Sequence, residues 1–152
     1  MKLAEALQER ADLNRRMEQL KRRLTANALV QEGERPAEEP AELLTELDGC
    51  AVRLELLMAQ INKTNCATLV DGMSLTQLLA QKDALSARLS AYRDLVYAAS
   101  QTTHRATRGE IRIHSAIDVK ATQKQVDQMA RELRLLDNRL QGANWATDLL
   151  EE

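Results

Sequence analysis

Leucine and other apolar residues recur every three or four positions along most of this chain, with polar residues filling the intervals. That spacing lines the apolar positions along one side of an α-helix. In the first segment the register runs through Leu3, Ala6, Leu13, Met17, Leu20 and Leu24, the repeat of a helix laid against another helix. It predicts a helix over about residues 3–30. Arg10 and Asn27 interrupt this register, as Lys82 does a later one, and a polar group at such a position can fix register and oligomeric state. On the opposite side Asp12 and Arg16, and Glu18 and Arg22, place an acid four residues before a base, which suits a solvated helix face. QEGERPAEEP (residues 31–40) stops the helix: Gly33 ends helices, and Pro36 and Pro40 cannot sit inside one. Pro40 fits the first turn of the next helix, with Glu38, Glu39 and Glu42 complementing its positive end.

The second helix, about 41–65, carries Leu43, Leu47, Cys50, Leu54, Leu57 and Ile61 in register, with a second row of Leu44, Ala51 and Met58 beside them. A stripe that wide predicts contact with at least two neighbours. Asp71-Gly72 marks a turn, and Ser74 through Gln77 read as a capping box. A third helix follows over about 75–100, with Leu75, Leu78, Leu85, Leu89, Tyr92, Val96 and Ala99. Residues 101–118 break the pattern. Ile111 and Ile113 alternate with Arg112 and His114, the period of a short strand, and an irregular loop fits equally. Ser115 or Asp118 can cap the fourth helix, about 119–141, which carries Val119, Val126, Met129, Leu133, Leu136 and Leu140. Gly142 is the expected stop, and Asn144 the cap of a short tail holding Trp145, Leu149 and Leu150.

Helices of roughly 35–42 Å at the α-helical rise, joined by turns, predict antiparallel neighbours. The fold class is therefore all-α: a coiled-coil-like helical bundle forming one domain over residues 1–152, with one irregular or short-strand segment near 101–118.

Composition agrees with this pattern. There is no Phe, the only aromatics are Tyr92, Tyr97 and Trp145, and Leu, Ala, Glu, Gln and Arg dominate, a roster that favours helix. The net charge of −2 makes neither nucleic acid nor an anionic membrane an expected partner. Charge is uneven, however: residues 1–30 are basic, 31–48 strongly acidic, and 101–125 basic again, which points to self-complementarity. No apolar run reaches the roughly 20 residues that span a bilayer, and the first residues lack the apolar core of a signal peptide, so a cytoplasmic location is expected. Cys50 and Cys66 lie on one predicted helix, about 24 Å apart, and read as buried free thiols.

The candidate chemistry is sparse. Arg105, Arg108, Arg112, Lys120 and Lys124 form a basic patch at the start of the fourth helix; guanidinium groups grip oxyanions, so an anion site near residues 101–125 is the first candidate. Asn62, Thr64 and Asn65, with Asn144 and Trp145, are the second, a polar pocket built at helix ends; the competing reading is backbone capping by the amides and packing by the indole. His104, Glu110 and His114 are the one cluster of histidine and carboxylate. On a helix, Glu110 and His114 would have metal-binding spacing, but no third ligand is placed, so no metal site is assigned. No nucleophile elbow or phosphate-cradling glycine loop is present, and neither catalytic residues nor a cofactor are expected.

The run LQERADLNRRMEQLKRRLTANALVQEGERPAEEPAELL from residue 7, with INKTN (61–65), EIRIHSAIDV (110–119) and LDNRLQGANWATDL (136–149), resembles a bacterial all-helical family. Its members are usually described as uncharacterised, and some carry the label septicolysin, a cytolysin name. The resemblance spans most of the chain and implies a helical fold with no established activity. The expectation is a self-assembling structural or interaction protein, a homo-oligomer. The alternatives are a small-molecule or anion binder or enzyme with its site near 101–125, and a membrane-active protein.

Overall fold

The computed structural model describes residues 1–102 and 111–151. Four long helices carry the fold: α1 (Leu3–Ala26), α2 (Pro40–Ala67), α3 (Leu75–Ala99) and α4 (Val119–Ala146). A two-stranded antiparallel hairpin, β1 (Leu69–Val70) and β2 (Met73–Ser74), joins α2 to α3. The all-α expectation holds. The chain groups into two compact units, Met1–Ser74 with Gly142–Glu152, and Leu75–Gln141.

In the first unit α1 and α2 form an antiparallel pair. Three ion pairs cross between the segments in opposite order: Glu9 with Arg53, Arg16 with Glu46, and Arg23 with Glu38. Positions 9, 16 and 23 are spaced by heptads, so one edge of α1 meets the edge of the neighbouring segment at every second turn. The Arg53 guanidinium grips Glu9 with two nitrogens, at 2.6 and 2.8 Å. That hydrogen bonding holds the Glu9 carboxyl below its ordinary range and raises Arg53. Arg23 acts likewise on Glu38. The acidic 31–48 segment thus supplies partners to the basic first helix. Arg16 reaches across to Glu46 rather than back to Asp12, which pairs with Arg15 instead. Leu3, Ala6, Leu20, Leu57 and Ile61 are fully or almost fully buried, each large side chain contributing about 1.5–3 kcal/mol of apolar burial.

Several boundaries differ from the periodicity. The first helix ends at Ala26, not near residue 30, because Asn27 caps it. Its amide nitrogen Nδ2 donates to the Arg23 carbonyl at 2.8 Å, and its Oδ1 accepts from the Glu38 backbone N–H at 3.0 Å. Asn27 therefore ties the helix end to the loop before α2. Asp71-Gly72 is the two-residue turn of the β-hairpin, with φ of 51° and 83° and the register Leu69↔Ser74, Val70↔Met73. Positive φ at both central residues is what a tight hairpin needs, and Asp-Gly provides it. The fourth helix does not stop at Gly142 but continues to Ala146; a helical glycine costs about 1 kcal/mol and does not by itself break the helix.

The second unit pairs α3 with α4, also antiparallel. Lys82 bonds Asp137 near one end, and Leu89, Val126 and Met129 form the buried centre. Leu85, Tyr92, Val96, Ala130 and Leu133 pack around that centre. The Lys82 hydrogen bond holds the Asp137 carboxyl below its ordinary range. Lys82, an interruption in the apolar register, is thus an interhelical ion-pair position. Asp118 caps α4, its Oδ1 accepting from the Ala121 N–H at 3.0 Å, while Ser115 makes a local turn around Ile117. Residues 111–117 form neither helix nor strand, and Ile111 and Ile113 are exposed.

Candidate functional site

The basic patch is only partly visible. Arg112 and Lys120 are exposed, while Arg105 and Arg108 lie outside the described residues. His104 and Glu110 do too, and His114 lines a small depression of about 270 Å³ with Leu95, Ile113 and Ser115. Among the described residues no three His, Cys, Asp or Glu side chains are placed to share a metal ion.

The residues of the second candidate set lie in different settings. Thr64 is completely buried. Its hydroxyl donates to the Gln60 carbonyl at 2.7 Å and accepts from the Leu150 N–H at 3.0 Å. Those bonds belong to a clasp between the chain ends. The Leu3 N–H donates to the Thr147 carbonyl and the Leu149 N–H to the Met1 carbonyl, each at 2.9 Å, making a β-bridge between Lys2 and Asp148. Lys2 also pairs with Asp148 at 2.7 Å, a hydrogen bond that holds the Asp148 carboxyl below its ordinary range. Gln60 closes the clasp by donating to the Glu151 carbonyl at 3.1 Å. Leu149 is consequently buried.

Asn62 lies on the exposed side of α2, and Asn65 and Asn144 are half-buried. Trp145 is 53% exposed, not a packing anchor, because α4 carries it past Gly142 on its solvent side. The Thr64 hydroxyl is therefore engaged in holding the chain end against α2. The cysteines are free thiols as expected, but Cys50 is half-buried and Cys66 exposed.

Two features go beyond the sequence reading. The first is the exposure of the second row of α2. Leu44 and Met58 are 48% and 44% exposed, Val52 and Leu56 are 69% and 50% exposed, and Ala51 is exposed as well. The wide stripe was expected to meet two neighbours, yet this row faces solvent. The second is a groove of about 480 Å³ between α3 and α4. Each helix lines it with positions i, i+3, i+4 and i+7: Gln81, Ala84, Leu85 and Arg88 on one wall, Glu132, Leu135, Leu136 and Arg139 on the other. Its floor is apolar, and Leu135 is half exposed within it. The Arg88 guanidinium lies 5.4 Å from the centre of the Tyr92 ring, a cation–π contact that steadies it at the rim. Groove walls of this kind look like ordinary helix surface in sequence, since the gap depends on how far apart the helices stand.

No helix of the described residues is long and apolar enough to cross a membrane. No curated protein matches the chain. A conserved protein of unknown function from Corynebacterium diphtheriae, known from a crystal structure, is similar over 99% of each chain, with 39% sequence identity and a TM-score of 0.93. The model of the family of unknown function DUF6847 matches residues 10–149, and the chain belongs to that family.

Proposed function

We propose that this is a cytosolic helical protein whose role is interaction, and that it assembles with itself through the outer row of α2. One observation carries the reading: Leu44, Ala51 and Met58, seven residues apart, form an exposed apolar row on a long helix, with Val52 and Leu56 also exposed on the far side of Asp48 and Glu55. Scattered surface leucines need no explanation, whereas a contiguous strip marks an interaction surface. The charges among its exposed residues from 41 to 62 are Glu42, Asp48 and Glu55, all acidic. Helices that lie on membranes carry Lys and Arg there instead, so a protein partner suits the strip better than a lipid surface.

Light scattering tests this directly. The wild type is expected to show a molar mass above the 17.1 kDa of one chain, rising with concentration. Met58→Lys, at an exposed position in the row, is expected to return the mass to one chain without changing the helical circular dichroism. A wild type that stays at one chain over a wide concentration range refutes the proposal. The label septicolysin raises membrane lysis as the rival, which demands dye release from vesicles; self-association demands none.

A further inference from the structure

Resting on that self-association, we infer that the exposed row of α2 docks into the α3–α4 groove of a second copy of the chain. The groove has the form that accepts an amphipathic helix: two helical walls, an apolar floor and polar rims. It continues into a second depression of about 290 Å³ bounded by Lys124, Gln128 and Met129, sharing Arg88 and Glu132 with the first. From Lys124 to Arg139 the trough follows α4 for about 22 Å, and the row from Leu44 to Met58 is about 21 Å long at the same rise. The lengths match.

Charge selects the same pairing. Asp48 and Glu55 lie between the apolar residues of the row, in the order Leu44, Asp48, Ala51, Glu55, Met58, steps of four and three that keep them on one face. The rim of the trough offers Lys124 and Arg88 beside one acid, Glu132. Glu132 accepts a hydrogen bond from Gln128 at 3.0 Å. A two-fold pairing of α2 with α2 would instead set acid against acid, since the strip from 41 to 62 presents no base, and like charges across an interface are unfavourable. The row and the groove are different surfaces, so the contact either repeats head to tail or is made twice, reciprocally, in a two-fold dimer.

The experiment uses two full-length variants at exposed positions, Met58→Lys in the row and Leu135→Glu in the groove, each checked for wild-type circular dichroism. Each alone is expected to scatter as one chain. An equimolar mixture is expected to scatter as two chains, because an intact row meets an intact groove and both outer ends are blocked. If Leu135→Glu assembles as the wild type does while Met58→Lys is monomeric, the row docks elsewhere: this inference fails and self-association survives. Two monomeric variants that do not restore each other also overturn it. A monomeric wild type removes both.

Discussion

The two helix pairs differ in how they are held. α1 is laced to α2 and the loop before it by three heptad-spaced ion pairs, and the backbones of the two helices approach closely along their length. The α3–α4 pair is joined by the ion pair of Lys82 with Asp137, and its backbones stand farther apart. Interaxial distance follows the side chains at the contact, and Leu89, Tyr92 and Met129 make that layer bulky. Close packing leaves no trough; wide packing around one central cluster leaves the groove beside Leu135. A pair that is zipped serves as scaffold, and a pair that gapes has room to receive something.

The largest expected effect breaks the zipped pair. Leu57 is fully buried, so Leu57→Ala removes apolar burial and leaves a cavity, a loss of about 2–5 kcal/mol. Leu135→Ala, in the groove wall, is expected to change stability by less than about 0.5 kcal/mol, as surface substitutions do. Urea unfolding midpoints separate the two. Comparable losses would mean that the groove is a packed seam and the contrast between the pairs is false.

A smaller effect is expected at the clasp that closes the scaffold. Thr64→Val keeps the shape of the side chain but deprives the Leu150 N–H of its acceptor, a loss of about 1–3 kcal/mol if water does not reach the site. Thr64→Ser keeps the hydroxyl and is expected to recover most of it. A harmless Thr64→Val, by the same urea measurement, would show that the chain ends are held without it.

How much of this was legible in sequence follows from the range of each interaction. The helices were legible because Leu43, Leu47, Leu54 and Leu57 repeat locally, and α3 and α4 by the same argument. The number of neighbours was not: Leu44, Ala51 and Met58 have the spacing of a buried row and are exposed, because periodicity names a face without saying what covers it. Asp71-Gly72 carried a hairpin signal, hidden by strands of only two residues each. Thr64 reads as an ordinary polar residue near a helix end, since its partner Leu150 lies 86 residues away. Arg16 had an acid available four residues back and another across the pair, and tertiary geometry chose Glu46.

The smallest effect sharpens the contrast electrostatically. Glu9 and Glu38, in the zipped pair, are held below the ordinary carboxylate range by the Arg53 and Arg23 hydrogen bonds, and Asp137 in the other pair by Lys82. A depressed carboxylate pKa means that the folded state stays ionised where the unfolded state takes up a proton. The stabilisation is complete above the ordinary range and is lost as pH falls through the depressed values. Exposed pairs each contribute little, but two such carboxylates brace α1 against α2 and the loop before it, and one braces α3 against α4. Lowering the pH from about 6 to about 3, across the carboxylate range, is therefore expected to speed amide hydrogen exchange in α1 and α2 more than in α3 and α4, after correction for intrinsic rates. Glu9→Gln with Glu38→Gln is expected to erase that difference by loosening the first pair already at neutral pH. Equal acceleration in both pairs would show that the ion-pair ladder decorates a contact made by the leucines alone.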